Sequence, residues 1–167
     1  PLALDDEGAL GAFALERHDL EAAEEHLTAA TARDPEDAQV HYRLALLYWW
    51  RGNTTALLDQ HISAALALPT LAEGQRQTLL GVRLFVQGDF VRALAHFRAC
   101  SVQHPDDLDL QYGLFEALFH AGYPGEAIDV YERLVAQRPS FRLGVQHMWS
   151  YCQGQGDAAC MRRAKRP

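Results

Sequence analysis

The chain has 167 residues, 49% of them hydrophobic, and a formal net charge of −7, which allows one domain with a continuous core. Acids crowd residues 1–37, where only Arg17 and Arg33 oppose them, so this part repels a phosphate backbone and nucleic acid is not an expected partner. No apolar run approaches the ~18 residues of a membrane span and no charged leader with an apolar core opens the chain, so a soluble protein with no membrane insertion is expected.

Pro35, Pro69, Pro105 and Pro139 recur at intervals of 34, 36 and 34 residues, each closing a stretch of similar apolar pattern. Such a period is the mark of a repeat array whose units bury their apolar faces only by stacking. The 26 Ala and 24 Leu favour helix, and Gly and Pro gather at the boundaries of periodic segments. In the first unit Leu10-Gly11 and Ala14 precede a break at His18-Asp19, and Ala23, Leu27 and Ala30 resume the helical period before Pro35. The second unit runs Leu44-Ala45, Tyr48, a turn at Gly52-Asn53, then Leu57, His61, Ala64 and Pro69, with His61 as its misfit. The third has Leu80-Gly81, Leu84, Gly88-Asp89, Ala93, Phe97, Cys100 and Pro105, and the fourth Leu114, Leu118, Gly122, Ala127, Tyr131, Leu134 and Pro139.

Asp19, Asp89 and Asp157 stand where a helix begins and are expected to accept orphan N–H groups, while Pro124 suits a first helical turn. Two extra residues are expected in the connection Thr70-Leu71-Ala72-Glu73. Beyond Pro139, Phe141, Val145, Met148 and Cys152 share one face of a capping helix, and Asp157–Ala164 reads as a short second helix with a frayed end. The tail cations Arg162, Arg163, Lys165 and Arg166 read as a solvated terminus.

The Leu-Gly, Tyr, Ala, aromatic and closing Pro pattern resembles the tetratricopeptide repeat over roughly residues 4–141. The resemblance implies an all-α fold, a right-handed superhelical α-solenoid of helix-turn-helix hairpins. Its repeats run at about 4–37, 38–71, 74–107 and 108–141, with a capping helix and partial repeat at 142–165, within a single domain at 1–167. Close helix approach calls for small residues at Gly11, Ala45, Gly81, Ala23, Ala93 and Ala127, a rule from which Phe115 and Leu57 depart.

Three cysteines without C-x-x-C spacing signal neither a disulfide framework nor a zinc ribbon and slightly favour a reducing compartment. A Cys152–Cys160 pair stays open, because it depends on matched Cβ directions. His96, Cys100 and His104 share a helical face, but Cys100 takes the small buried position of Ala30 and Ala64, so packing is expected there and no metal. No G-x-S-x-G, H-E-x-x-H or phosphate-cradling glycine loop is present, and the neighbouring acids Glu24-Glu25 and Asp106-Asp107 fit solvated surfaces; no catalytic residue and no cofactor is expected.

The resemblance implies a concave face lined by the first helix of each hairpin. Tyr42, Leu46, Trp49 and Trp50, then Val82 and Phe85, then Tyr112, Glu116 and Phe119 form a stripe there, suited to an apolar or amphipathic peptide or helix of a protein partner. A carboxylate clamp needs cations on that face, and Arg43 is the only one among Gln39, Tyr42, Gln75, Thr78, Asp109 and Tyr112, so the clamp is not implied. The expected function is therefore a non-enzymatic interaction scaffold. Its alternative is a regulatory or assembly module of a larger protein whose groove is filled intramolecularly or by a second copy. Starting at Pro1 without Met, the chain reads as a piece of a longer polypeptide, and the Arg-for-Lys bias suggests a GC-rich bacterial gene. Cytoplasmic location is expected, with the periplasm open if a leader was removed.

Overall fold

The structure, a computed structural model, describes residues 6–52, 56–138, 141 and 143–164. Asn53, Pro139, Lys165, Arg166 and the side chain of Arg163 lie outside that description. The described residues form ten helices and no strand: α1 Glu7–Glu16, α2 Leu20–Arg33, α3 Ala38–Trp50, α4 Ala56–Ala67, α5 Glu73–Val86, α6 Phe90–Gln103, α7 Leu108–His120, α8 Pro124–Gln137, α9 Val145–Gly154 and α10 Ala158–Ala164. They divide into two compact units between Arg83 and Leu84. No described helix is long and apolar enough to cross a membrane.

The hairpins follow from local chemistry. Aspartate side chains cap six of the helices: Asp19 Oδ1 accepts from Ala22 N at 3.2 Å and Asp89 Oδ1 from Arg92 N at 3.1 Å, while Asp6, Asp37, Asp107 and Asp157 do the same at theirs. Pro124 opens α8, as its fixed φ and missing N–H favour. The hairpin turns pass through a left-handed residue, glycine at Gly52, Gly88, Gly122 and Gly156 but His18 in the first, at φ 57°.

In the first unit, α1 and α2 approach so closely that a Cβ on Gly11 would lie 2.6 Å from Leu27 Cγ. The register of α4 corrects the sequence reading. Leu58, Ile62 and Ala65 are buried, at the places that Ala23, Leu27 and Ala30 hold in α2, whereas Leu57 is exposed and Ala64 only half-buried. Residues 53–55, ahead of α4, lie outside the described residues, and the shift is read from the buried positions: Leu58 stands 35 residues after Ala23, where Ala45 stands 34 after Gly11. The connection between α4 and α5, residues 68–72, is only one residue longer than residues 34–37 between α2 and α3. The buried face of α4 thus stands one position later than a 34-residue period places it. His61, the misfit, is buried against His41, Nδ1 to Nδ1 at 2.9 Å.

In the second unit, Phe97 and Phe115 are fully buried, and each is admitted by a glycine: a Cβ on Gly113 would overlap the Phe97 ring, and one on Gly144, at φ 78°, the Phe115 ring. That explains why Phe115 occupies a position held by small residues in the other repeats. The glycine sits on the facing segment instead. The expected capping helix is α9, with Met148 and Cys152 buried and Phe141 buried just before it. In its partner α10, Asp157 is the N-terminal cap, Cys160 and Ala164 are buried, and Cys152 and Cys160 form a disulfide with their Cα atoms 5.3 Å apart.

Candidate functional site

Helical spacing placed nine residues on first-helix faces, and the structure separates them by depth. On α3, Tyr42, Leu46 and Trp49 are buried and Trp50 is half-buried, its ring 5.9 Å from that of His18. Val82 on α5 is fully buried. In the second unit Tyr112 and Glu116 are buried, while Phe85 and Phe119 are half-buried.

Glu116 is the unusual member, a carboxylate only 5% exposed. An ionised group at that depth needs partners, since desolvation disfavours its charge. The Tyr112 hydroxyl donates to Glu116 Oε1 at 2.7 Å, one helical turn away. His120 Nε2 lies 3.6 Å from Oε2, and His147 Nδ1, brought in by α9, lies 3.4 Å from Oε1. The histidines respond in opposite directions. Burial lowers the pKa of His120 against the pull of Glu116, whereas contact with Glu116 raises that of His147 against its own burial. Burial, then the nearby carboxylate, pushes the Tyr112 phenol far above its ordinary value.

Aromatic rings enclose the cluster. Phe119 stacks on His147 at 5.0 Å, and Phe85 and Phe90 pack on His120 at 5.0 and 5.1 Å. Both histidines keep an open side, with side-chain exposures of 36% for His120 and 41% for His147. The ligand atoms of Glu116, His120 and His147 lie within 4.8 Å of one another. The trio weighed from the sequence is looser: Cys100 Sγ and His96 Nε2 are 3.7 Å apart, and His104 stands past the end of α6. Neither His120 nor His147 was singled out from the sequence. The one local signal was the Glu116–His120 spacing of four, and His147 joins only through the packing of α9 on α7.

Elsewhere in the second unit, an open cleft of about 530 Å³ is lined by Arg98, Val102, Pro105, Leu114, Arg133 and Leu134 among others. Its two arginines, Arg98 and Arg133, are exposed, and Arg98 is paired with Glu126 at 2.7 Å.

The family profile of the tetratricopeptide repeat matches residues 14–56 and 84–143, more than half of the chain. The chain belongs to the tetratricopeptide repeat family. Solved structures agree on the fold. PilF of Pseudomonas aeruginosa is similar with a TM-score of 0.54 and 20% identity, over 96% of this chain and 72% of that one. MamA is similar with a TM-score of 0.50 and 18% identity, over 93% and 92% of the two chains. No curated protein matches. Tetratricopeptide hairpins are protein-interaction scaffolds.

Proposed function

We propose that this tetratricopeptide domain is a non-enzymatic scaffold that binds an apolar or amphipathic peptide or helix of a protein partner on its first-helix faces. The observation that carries the reading is the position of Trp50 and Phe119, half-buried near the C-terminal ends of α3 and α7, with buried members of the stripe on the same helices. Large rings presented on a firm bed are the groups that supply hot-spot energy at small cost in side-chain entropy. Within the first compact unit Tyr42, Leu46, Trp49 and Val82 then act as the bed and Trp50 meets a partner; within the second, Tyr112 and Glu116 are the bed and Phe85 and Phe119 the rings offered.

The Cys152–Cys160 disulfide supports an oxidising compartment such as the periplasm over the cytoplasmic expectation.

A panel of immobilised peptides with apolar residues at helical spacing tests the binding. The wild type should retain a subset of them, and Trp50→Ala with Phe119→Ala should weaken retention at least about tenfold with far-ultraviolet circular dichroism unchanged. Equal retention by the double variant would sink the reading. A dimer that grows with concentration and is lost in the same variant would assign the faces to a second copy of this chain instead.

A further inference from the structure

We propose that Glu116, His120 and His147 form a binding site for a divalent transition-metal ion of the zinc class, joining α7 to α9 and open on its solvent side. Two imidazoles and one carboxylate are a donor set that zinc accepts in sites where a further position is left to water. The same set suits other first-row divalent ions, whose order of affinity is set more by the metal than by the protein.

The geometry is close to what such an ion requires. Ligand atoms bound to one tetrahedral zinc at about 2.0–2.1 Å stand roughly 3.3 Å apart. The His120 Nε2 and His147 Nδ1 contacts to Glu116 are 3.6 and 3.4 Å. Each histidine faces a different oxygen of the same carboxylate, so an ion seated between those oxygens has one imidazole on either side. Only a small inward movement of His120 and His147 is needed, since all three ligand atoms already lie within 4.8 Å.

The surroundings serve the same purpose. Tyr112 donates to Glu116 Oε1 at 2.7 Å, the kind of outer hydrogen bond that fixes a ligating carboxylate. Phe119 stacked on His147 and Phe85 set edge-on to His120 restrict how the rings turn. Glu116 is buried whereas the histidines are partly open, so an ion has a route in and at least one position remains for water.

The test uses the oxidised full chain with Co²⁺ as a spectroscopic probe and Zn²⁺ as competitor. One equivalent of Co²⁺ per chain should give the visible ligand-field absorption of a site with nitrogen and oxygen ligands, and Zn²⁺ should displace it. Zn²⁺ should also raise the melting temperature, because binding favours the folded state. His120→Ala and His147→Ala should each abolish the absorption or weaken affinity at least about 100-fold, and the outer-shell change Tyr112→Phe about tenfold. His120 is exposed enough that its replacement leaves the fold intact, which circular dichroism checks. No visible absorption with saturating Co²⁺ would overturn the proposal. So would absorption unchanged in both histidine variants, or a sulfur-to-cobalt charge-transfer band lost in Cys100→Ser.

Discussion

His61 donates its Nδ1–H to Nδ1 of His41 across 2.9 Å, and the tautomers follow from a third atom. His41 Nε2 lies 2.9 Å from the carbonyl oxygen of Pro35, which can only accept, so His41 carries its proton on Nε2 and turns a bare Nδ1 to His61. A second proton on His61 would bury a charge. Burial, and then the neighbouring His41, hold the His61 pKa at about 4.

The sign of the pH dependence is then fixed. Between the ordinary value of 6.5 and about 4, the unfolded chain binds a proton at His61 that the folded chain refuses. The contribution is complete above 6.5 and is lost as pH falls through that window. Unfolding by urea at about pH 7.5 and at about pH 5 should show a loss on the order of 1–3 kcal/mol. His61→Gln keeps a donor for His41 without titrating, and should remove most of that difference while carboxylate contributions remain.

Gly113→Ala should destabilise the second unit by about 1–3 kcal/mol, because the added methyl meets the fully buried Phe97 ring. Gly125→Ala is the control. It lies in α8, a Cβ there meets nothing within 4 Å, and helix propensity favours alanine by up to about 1 kcal/mol. Thermal unfolding of the two variants should move in opposite directions.

Arg51 ties the end of α3 to the start of α2. Its guanidinium is bonded to Glu24 and donates to the Leu20 carbonyl at 2.7 Å, while Tyr48 donates to Glu24 at 2.9 Å. The Arg51 bond, opposed by burial, holds the Glu24 carboxyl below its ordinary pKa. A lysine cannot serve both acceptors from one nitrogen in this fork geometry. Arg51→Lys should therefore cost nearly as much as Arg51→Ala, roughly 1–2 kcal/mol by denaturant unfolding.

What the sequence could reveal was set by how local each feature is. Hairpins, caps and turns are decided by residues within a few positions of one another, and the aspartate caps and turn glycines follow the pattern read from the chain. The register of α4 was ambiguous for a plain reason. Leu57 and Leu58 are both leucine and Ala64 and Ala65 both alanine, so either phase satisfies the periodicity. Spacing also assigns a face but not a depth: Tyr112 lies beneath Phe141, 5.5 Å away, and Glu116 meets His147, both from beyond α8. The Glu116, His120 and His147 cluster needs α9 folded onto α7, and no interval along the chain announces it.

The disulfide was unreadable for the same reason and makes the last prediction. Cys152 and Cys160 are separated by eight residues, so closing their loop removes unfolded-state entropy equivalent to about 2–3 kcal/mol. Cys100 is buried and outside the pair. Of the three cysteines, one thiol should react after denaturation without reductant and all three after reduction. Cys152→Ser with Cys160→Ser should lower stability by about that amount, with hydrogen exchange rising first in α10, a helix of only seven residues. Three reactive thiols in protein purified without reductant would mean the pair does not form, and the argument for an oxidising compartment would fall with it.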